Sequence, residues 1–365
     1  MDYVAGVIRG TVLVVSLAVV LLSGAGPAAA EEAFEIVPVA DGVYAAIGRQ
    51  AAPVIIGSNA AIVVNDDHVL VVDSHLTPSA ARALLGQIKT LTEKPVRYVV
   101  NTHWHGDHVQ GNQAYFNVFP GGVEFVSHHT TREDIIRKAI PSLQRQRENL
   151  PQQIAQITER LAKDVDADGN PFSEEQAEQQ RNRLKRLRAY LAELKQIQIT
   201  LPTLTFERSL VLHKGERRIH ILFFFKGHTR GDVVVYLPEE KVLVSGDLLT
   251  GGLPFPRDSY PAEWVSTLRA MAGLEFDKVI PGHGRVQQGK EHLELVASVF
   301  ESLVQQVRDA VDKGLSLEDT KKAVALEEFR ARVTGGDPQA NRSFDQRIAT
   351  TIERAYKELT GELED

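Results

Sequence analysis

From Phe34 to Asp73 the chain is a series of short apolar runs split by turn residues. FEIVPVADGVYAAIG breaks at Asp41-Gly42, and NAAIVVNDDHVLVVDSH breaks at Asn65-Asp66-Asp67. Runs of strand length on either side of such punctuation predict two β-hairpins. Thr77-Pro78-Ser79 then opens SAARALLGQIKTL, whose Ala/Leu spacing predicts a helix. PVRYVVN and GVEFVSHH predict strands. Between about residues 131 and 198 the pattern changes to Gln, Arg, Glu and Leu, with Ile154, Ile157 and Leu161 at helical spacing. A helical hairpin is predicted there, broken at DVDADGNPF, with Ser173 and Gln176 forming a capping box for its second helix. Strand patterns resume at TLTFERSLVLH and continue through RRIHILFFF, DVVVYL and KVLVSGDLL. AEWVSTLRAMAGL predicts a helix and DKVIPGHG a strand, and the chain beyond Gln288 is helical with charged faces.

This order predicts an α+β protein with antiparallel-looking strands in two groups and helices between them. The expected organisation is a main domain over residues 31–287, a helical insertion at 131–200, and a helical C-terminal region at 288–365. Residues 1–30 are set apart as a signal peptide. Arg9 lies in a short leading segment, Thr11 to Leu22 is an apolar run, and Ala28 and Ala30 precede Glu31 as the small residues of a cleavage site. The apolar run is short for a membrane span, which needs about 20 residues. A secreted or periplasmic protein without a stable membrane span after cleavage is therefore expected.

Composition narrows the chemistry. The formal net charge of the 365 residues is −7, which argues against a nucleic-acid partner. There is no cysteine, so disulfides and thiolate metal sites are excluded. Any metal must be held by nitrogen and oxygen.

Twelve histidines are present, and three of them fall within NTHWHGDH at 101–108. Residues two apart in extended chain point the same way, so His103 and His105 can share one metal. Gly106 permits a sharp turn, after which Asp107 and His108 can face a second position. Two metals about 3.5–4 Å apart can hold a bridging hydroxide. Each then needs a further ligand. His228 follows ILFFF, Asp247 ends KVLVSG, and His283 ends KVIPG. Strand ends are where loops gather and sites are commonly built, and imidazole with carboxylate suits zinc when no thiol is available.

His103-x-His105-x-Asp107-His108, then GHT at His228, SGD at Asp247 and PGHG at His283, resemble the metallo-β-lactamase superfamily of metal-dependent hydrolases. VLVVDSH resembles that family's first motif, with Asp73 as its buried aspartate. The resemblance covers about Phe34 to Gly284. It implies a four-layered αββα sandwich with two zinc ions at one edge. One zinc would be held by His103, His105 and His228, the other by Asp107, His108 and His283, with Asp247 bridging. His105 stands where di-iron relatives place a glutamate. Asp247 stands where true β-lactamases usually carry cysteine or serine. The chain thus resembles hydroxyacylglutathione hydrolase and lactonase relatives more than true β-lactamases.

The expected activity is that of an exported dinuclear zinc hydrolase acting on a small-molecule lactone, ester, thioester or amide, including a β-lactam. A water activated by the metals attacks, and Asp107 relays the proton. The alternatives are a phosphodiesterase of the same fold, an inactive metal-binding interaction module, and a di-iron oxidoreductase. His75, His128 and His129 read as supporting or structural residues, and Phe255, Arg257 and Tyr260 as residues of a cleft wall or of ordinary packing. The calcium-loop pattern from Asp164 to Glu175 reads as a plain turn before a capped helix. The charged faces at 175–195 and 340–362 read as solvated surfaces.

Overall fold

A computed structural model describes residues 33–49, 52–166 and 168–363. The expected signal segment lies outside the described residues. The first sheet takes its strands in chain order: β1 (Phe34–Ala40), β2 (Val43–Gly48), β3 (Ala60–Val64), β4 (Val69–Val72), β5 (Val96–Val100), β6 (Glu124–His128) and β7 (Leu204–Phe206). The second holds β8 (Ser209–Lys214), β9 (Arg217–Leu222), β10 (Val234–Leu237), β11 (Val242–Thr250), β12 (Lys278–His283) and β13 (Gln287–Gln288), again as sequential neighbours. Both predicted hairpins form, as antiparallel β1–β2 and β3–β4. The strand pattern misled about the rest of the first sheet, because β4 through β7 pair in parallel. Helices and the insertion connect those strands, and such crossovers return the chain in the same direction.

Apolar residues run unbroken along β3 and β4 because both faces of the sheet are covered. Ala61, Val63, Leu70 and Val72 point inward and meet Ile219, Ile221, Val235 and Val244 of the second sheet. Their neighbours Ile62, Val69 and Val71 point outward. They pack on Leu84 and Ile88 of α1 (Pro78–Leu91). After the short α2 (Gly106–Val109), α3 (Asn112–Val118) adds Tyr115 to the same layer. The insertion follows as α4 (His129–Asp134), a π-helical stretch (Ile135–Ala139), α5 (Ile140–Lys163) and α6 (Glu174–Leu194). The second sheet turns Val234, Leu243 and Val279 to the opposite side, against Trp264, Leu268 and Met271 of α7 (Pro261–Ala272) and Phe300 of α8 (Glu291–Asp312). Past α9 (Leu317–Ala323) and α10 (Glu327–Thr334), α11 (Pro338–Thr360) closes this layer with Phe344, Ile352 and Ala355. The result is the expected αββα sandwich. Among the described residues, no helix is long and apolar enough to cross a membrane.

The capping box forms as read. Gln176 N–H donates to Ser173 Oγ at 3.2 Å, and Ser173 N–H donates to Gln176 Oε1 at 2.9 Å. The acidic turn before it spends one carboxylate on the backbone, since Asp166 Oδ1 accepts from the N–H groups of Asp168 and Asn170. The face at 340–362 departs from the solvated reading. Arg354 Nε donates to Ser259 O at 2.8 Å, and Glu358 accepts from Ala262 N at 2.8 Å and Glu263 N at 3.1 Å. Glu358 thereby satisfies free N–H groups in the first turn of α7, where a negative charge is favoured.

Trp264 is fully buried, with its ring 4.7 Å from that of Phe300. Trp264→Ala is expected to cost about 3–5 kcal/mol through lost burial and a residual cavity. Phe116→Ala, at a side chain 48% exposed, should stay within about 0.5 kcal/mol. Urea unfolding of the two variants checks the contrast.

Candidate metal centre

The turn after β5 carries the cluster. His103 and His105 lie in the irregular stretch before α2, and Asp107 and His108 sit on α2 itself. His228 comes from the loop after β9, and His283 is the last residue of β12. Asp247 differs from the sequence reading: it lies inside β11, which continues to Thr250. The pairing of β11 with β12 shifts at Gly246, whose φ is 52°. A side chain at Gly246 would press on Thr102, with a Cβ only 2.6 Å from Thr102 Oγ1. This left-handed step lets mid-strand Asp247 enter the site. Gly282 is constrained for a different reason: a Cβ there would lie 2.0 Å from Asp247 Oδ1.

All seven predicted residues are brought together. His228 Nε2 lies 3.0 Å from His105 Nδ1, and the rings of both are 4.8 Å from that of His103. On the other side, His283 Nε2 is 3.3 Å from Asp107 Oδ2, and His108 Nε2 is 3.6 Å from the same atom. Asp247 touches both groups: Oδ2 is 3.7 Å from His228 Nε2 and 3.3 Å from His283 Nε2, and Oδ1 is 3.4 Å from His108 Nε2. The sets His103–His105–His228, His103–His108–Asp247 and Asp107–His108–His283 each offer ligand atoms within 4.8 Å of one another.

A supporting layer fixes these side chains. Asp73, with φ 64° at the end of β4, accepts from Thr102 N at 2.8 Å, Thr102 Oγ1 at 2.9 Å and His108 Nδ1 at 2.8 Å. That bond leaves His108 Nε2 facing the site. Ser74 and Asn101 hold His108 O, and Ser58 Oγ donates to Asp107 O at 2.6 Å. His105 Nε2 is 3.0 Å from Asp258 Oδ2. Asp258 escaped the sequence reading, which dwelt on its neighbours Phe255, Arg257 and Tyr260. No spacing marks it; the only cue is a carboxylate in the Gly/Pro-rich stretch after β11. Tyr260 proves to be buried packing, with Lys226 and Arg354 against its ring. His75 is buried and donates from Nδ1 to Ser58 O, a supporting role. His128 is structural, bonding Glu207 O and the cap of α4.

The electrostatics are split. Burial, reinforced by neighbouring histidines, pushes His103 well below the usual imidazole range and His228 down to about 3. Burial also opposes charge on His108 and His283, but surrounding carboxylates outweigh it. Asp73, Asp107 and Asp247 raise His108 well above the ordinary value, and Asp247 with Asp107 raises His283 to about 10. Burial would raise Asp107, yet His108 and His283 hold it down to about 2.

The donor set fits divalent metal ions. His103 Nε2, His108 Nε2 and Asp247 Oδ1 are buried without a hydrogen-bond partner. Unpaired buried polar atoms are costly and call for an explanation, of which an ion is one. Three imidazoles converge at one end, and two imidazoles with carboxylates at the other. Such nitrogen and oxygen donors match zinc chemistry.

Two expectations follow. Asp258→Asn weakens the acceptor that orients His105, so zinc affinity should fall by about 10–100-fold in a chelator competition assay. An unchanged affinity would count against the orienting role. In the metal-free protein the charged His283 contributes stability in full below its unfolded value of 6.5, and that contribution is lost as pH rises through about 10. Urea midpoints of the metal-free protein should therefore drop across this alkaline window, while zinc uptake near neutral pH should release protons, measured by calorimetry in buffers of different ionisation enthalpy.

Comparison with known proteins agrees with this geometry. The family model of the metallo-beta-lactamase superfamily matches residues 55–138 and 152–283. A linear primary-alkylsulfatase of Pseudomonas sp. (strain ATCC 19151) is 23% identical over 277 residues, covering 71% of this chain and 48% of that protein. An acyl-coenzyme A thioesterase, MBLAC2 of Bos taurus, is 30% identical over 113 residues, covering 28% of this chain and 39% of that protein. The chain thus spans half or less of the length of these relatives. The solved structure of a stereoselective inverting sec-alkylsulfatase, Pisa1 from Pseudomonas sp., shares the fold with a TM-score of 0.60 at 17% identity, over 89% of this chain and 50% of that one. With the family model spanning more than half of its residues on top of the αββα sandwich, this chain belongs to the metallo-β-lactamase superfamily.

Proposed function

We propose that the chain is an exported, dinuclear zinc hydrolase that cleaves a carboxylic bond: a lactone, ester, thioester or amide. The observation that carries this reading is Asp247, within 3.3–3.7 Å of imidazole nitrogens from both histidine groups. His103, His105 and His228 would hold one ion, and Asp107, His108 and His283 the other, with Asp247 reaching both. When bound, the two ions supply a water activated at neutral pH and an electrophilic partner for the substrate's oxygen. The chain's own residues do the rest. Asp107 is half-buried beside His108 and His283, and its carboxylate can accept a hydrogen bond from the attacking water and pass a proton to the leaving group. Asp73 and Asp258 hold His108 and His105 in orientation. Among the catalytic candidates there is no serine paired with a histidine, so a side-chain nucleophile is not invoked.

A sulfate ester is the second reading of the scissile bond. It is favoured by the long alignment with an alkylsulfatase, 71% of this chain. The same site serves both, because a bond to carbonyl carbon and a bond to a sulfate ester each develop negative charge on oxygen that metals and cations stabilise. Export rests on the apolar segment and small-residue site within residues 1–30.

Metal analysis with a panel of lactones, thioesters, β-lactams, sulfate esters and phosphodiesters tests the reading. Two zinc ions per chain are expected. His105→Ala and Asp247→Ala should each lower kcat/KM by more than about 100-fold, beyond the 10–100-fold typical of losing a supporting residue. Full activity in both variants would sink the site assignment.

A further inference from the structure

We infer that the substrate carries a separate anionic group, which a basic cleft between the metal centre and helix α6 receives. This rests on the hydrolase reading and names its substrate class: an acyl compound with an apolar chain and a carboxylate, sulfate or phosphate remote from the scissile bond. The cleft has a volume of about 1700 Å³, above the 300–1,000 Å³ usual for ligand sites. It reaches the metal centre at His283 and at Ser58, the residue bonded to Asp107 O. Part of the wall is apolar, built by Val54, Ile55, Ile56 and Val286. Another part comes from the helical insertion. Asn182, Lys185, Arg186 and Ala189 of α6 line the cleft, and their spacing places them on a single helical stripe. One turn further, Glu193 accepts from Ser79 N at the start of α1 and so ties the stripe to the sandwich.

The charge of the lining is one-sided. Arg49, Lys185, Arg186, Lys278 and Arg285 face it, against Glu35 as the single acidic residue. The chain as a whole is acidic, with a net charge of −7, so this local excess does not reflect bulk composition. Two of the cations are spent on the scaffold: Lys278 Nζ donates to Val39 O and Arg49 Nε to Phe34 O. Lys185, Arg186 and Arg285 make no hydrogen bond or ion pair among the described residues. Arg285 stands two residues from His283. All three are exposed at the rim of the cleft, so a neutral ester or lactone would leave them to water. A carboxylate, sulfate or phosphate would be drawn in by the cleft's field and gripped by guanidinium forks. The apolar wall supplies the burial that the chain of the substrate needs.

The test uses zinc-loaded protein and a fluorescent pair that is not cleaved, dansylaminoundecanoate and its uncharged counterpart dansylaminoundecanol. The carboxylate is expected to bind at least about tenfold more tightly, a difference of about 1.4 kcal/mol. In the variant Lys185→Gln/Arg186→Gln/Arg285→Gln, with equal zinc content, the two probes should bind within about twofold of each other, and added salt should reduce the wild-type preference. A variant that keeps the wild-type preference, as direct capture by the metals would produce, overturns the inference; so does equal binding of both probes by wild type. Because the readout is binding, a protein that shows this preference but cleaves nothing in the substrate panel would fail the hydrolase reading and leave the cleft assignment standing.

Discussion

The carboxylate of Asp73 is the constraint on which the centre depends. It leaves the end of β4 in a left-handed conformation and takes three hydrogen bonds from the turn after β5. Two parallel strands, each too short to define a site, thereby become one rigid platform. The bond to His108 fixes which ring nitrogen faces inward, and the bond to Thr102 fixes the backbone immediately before His103. A buried carboxyl group is tolerated there because its polar contacts are hydrogen-bonded. Everything downstream, from the small helix α2 to the placement of Asp107, is built on that turn.

Much of this was legible in the sequence because it is local. The octet at 101–108 packs four of the seven converging residues into one turn, and His228, Asp247 and His283 each sit in a short glycine-marked motif. The hairpins were equally local, set by Asp41-Gly42 and Asn65-Asp66-Asp67. What was hidden depends on distant partners. Asp258 lies 153 residues from His105 in sequence, and no periodicity announces the pair. Parallel pairing among β4 to β7 follows from crossovers, which a strand's own alternation does not encode.

The charged helices show the same limit from the other side. Polar stripes on α6 and α11 have the spacing of solvated faces, and helical period alone cannot say what lies opposite. In the folded chain the charged stripe of α6 is exposed as read while it borders the cleft beside His283, whereas Arg354 and Glu358 of α11 bind backbone groups of the 259–263 segment. Charge on a helix marks surface only when nothing packs against it.

The grip of α11 on that segment reaches further than packing. Asp258, which orients His105, is the residue immediately before Ser259, whose carbonyl Arg354 holds. The last long helix of the described chain is therefore two hydrogen bonds removed from the His105 imidazole. The orientation of His105 and the seating of that helix share one short segment, 258–263, which is held from one side by an imidazole and from the other by a guanidinium and a carboxylate.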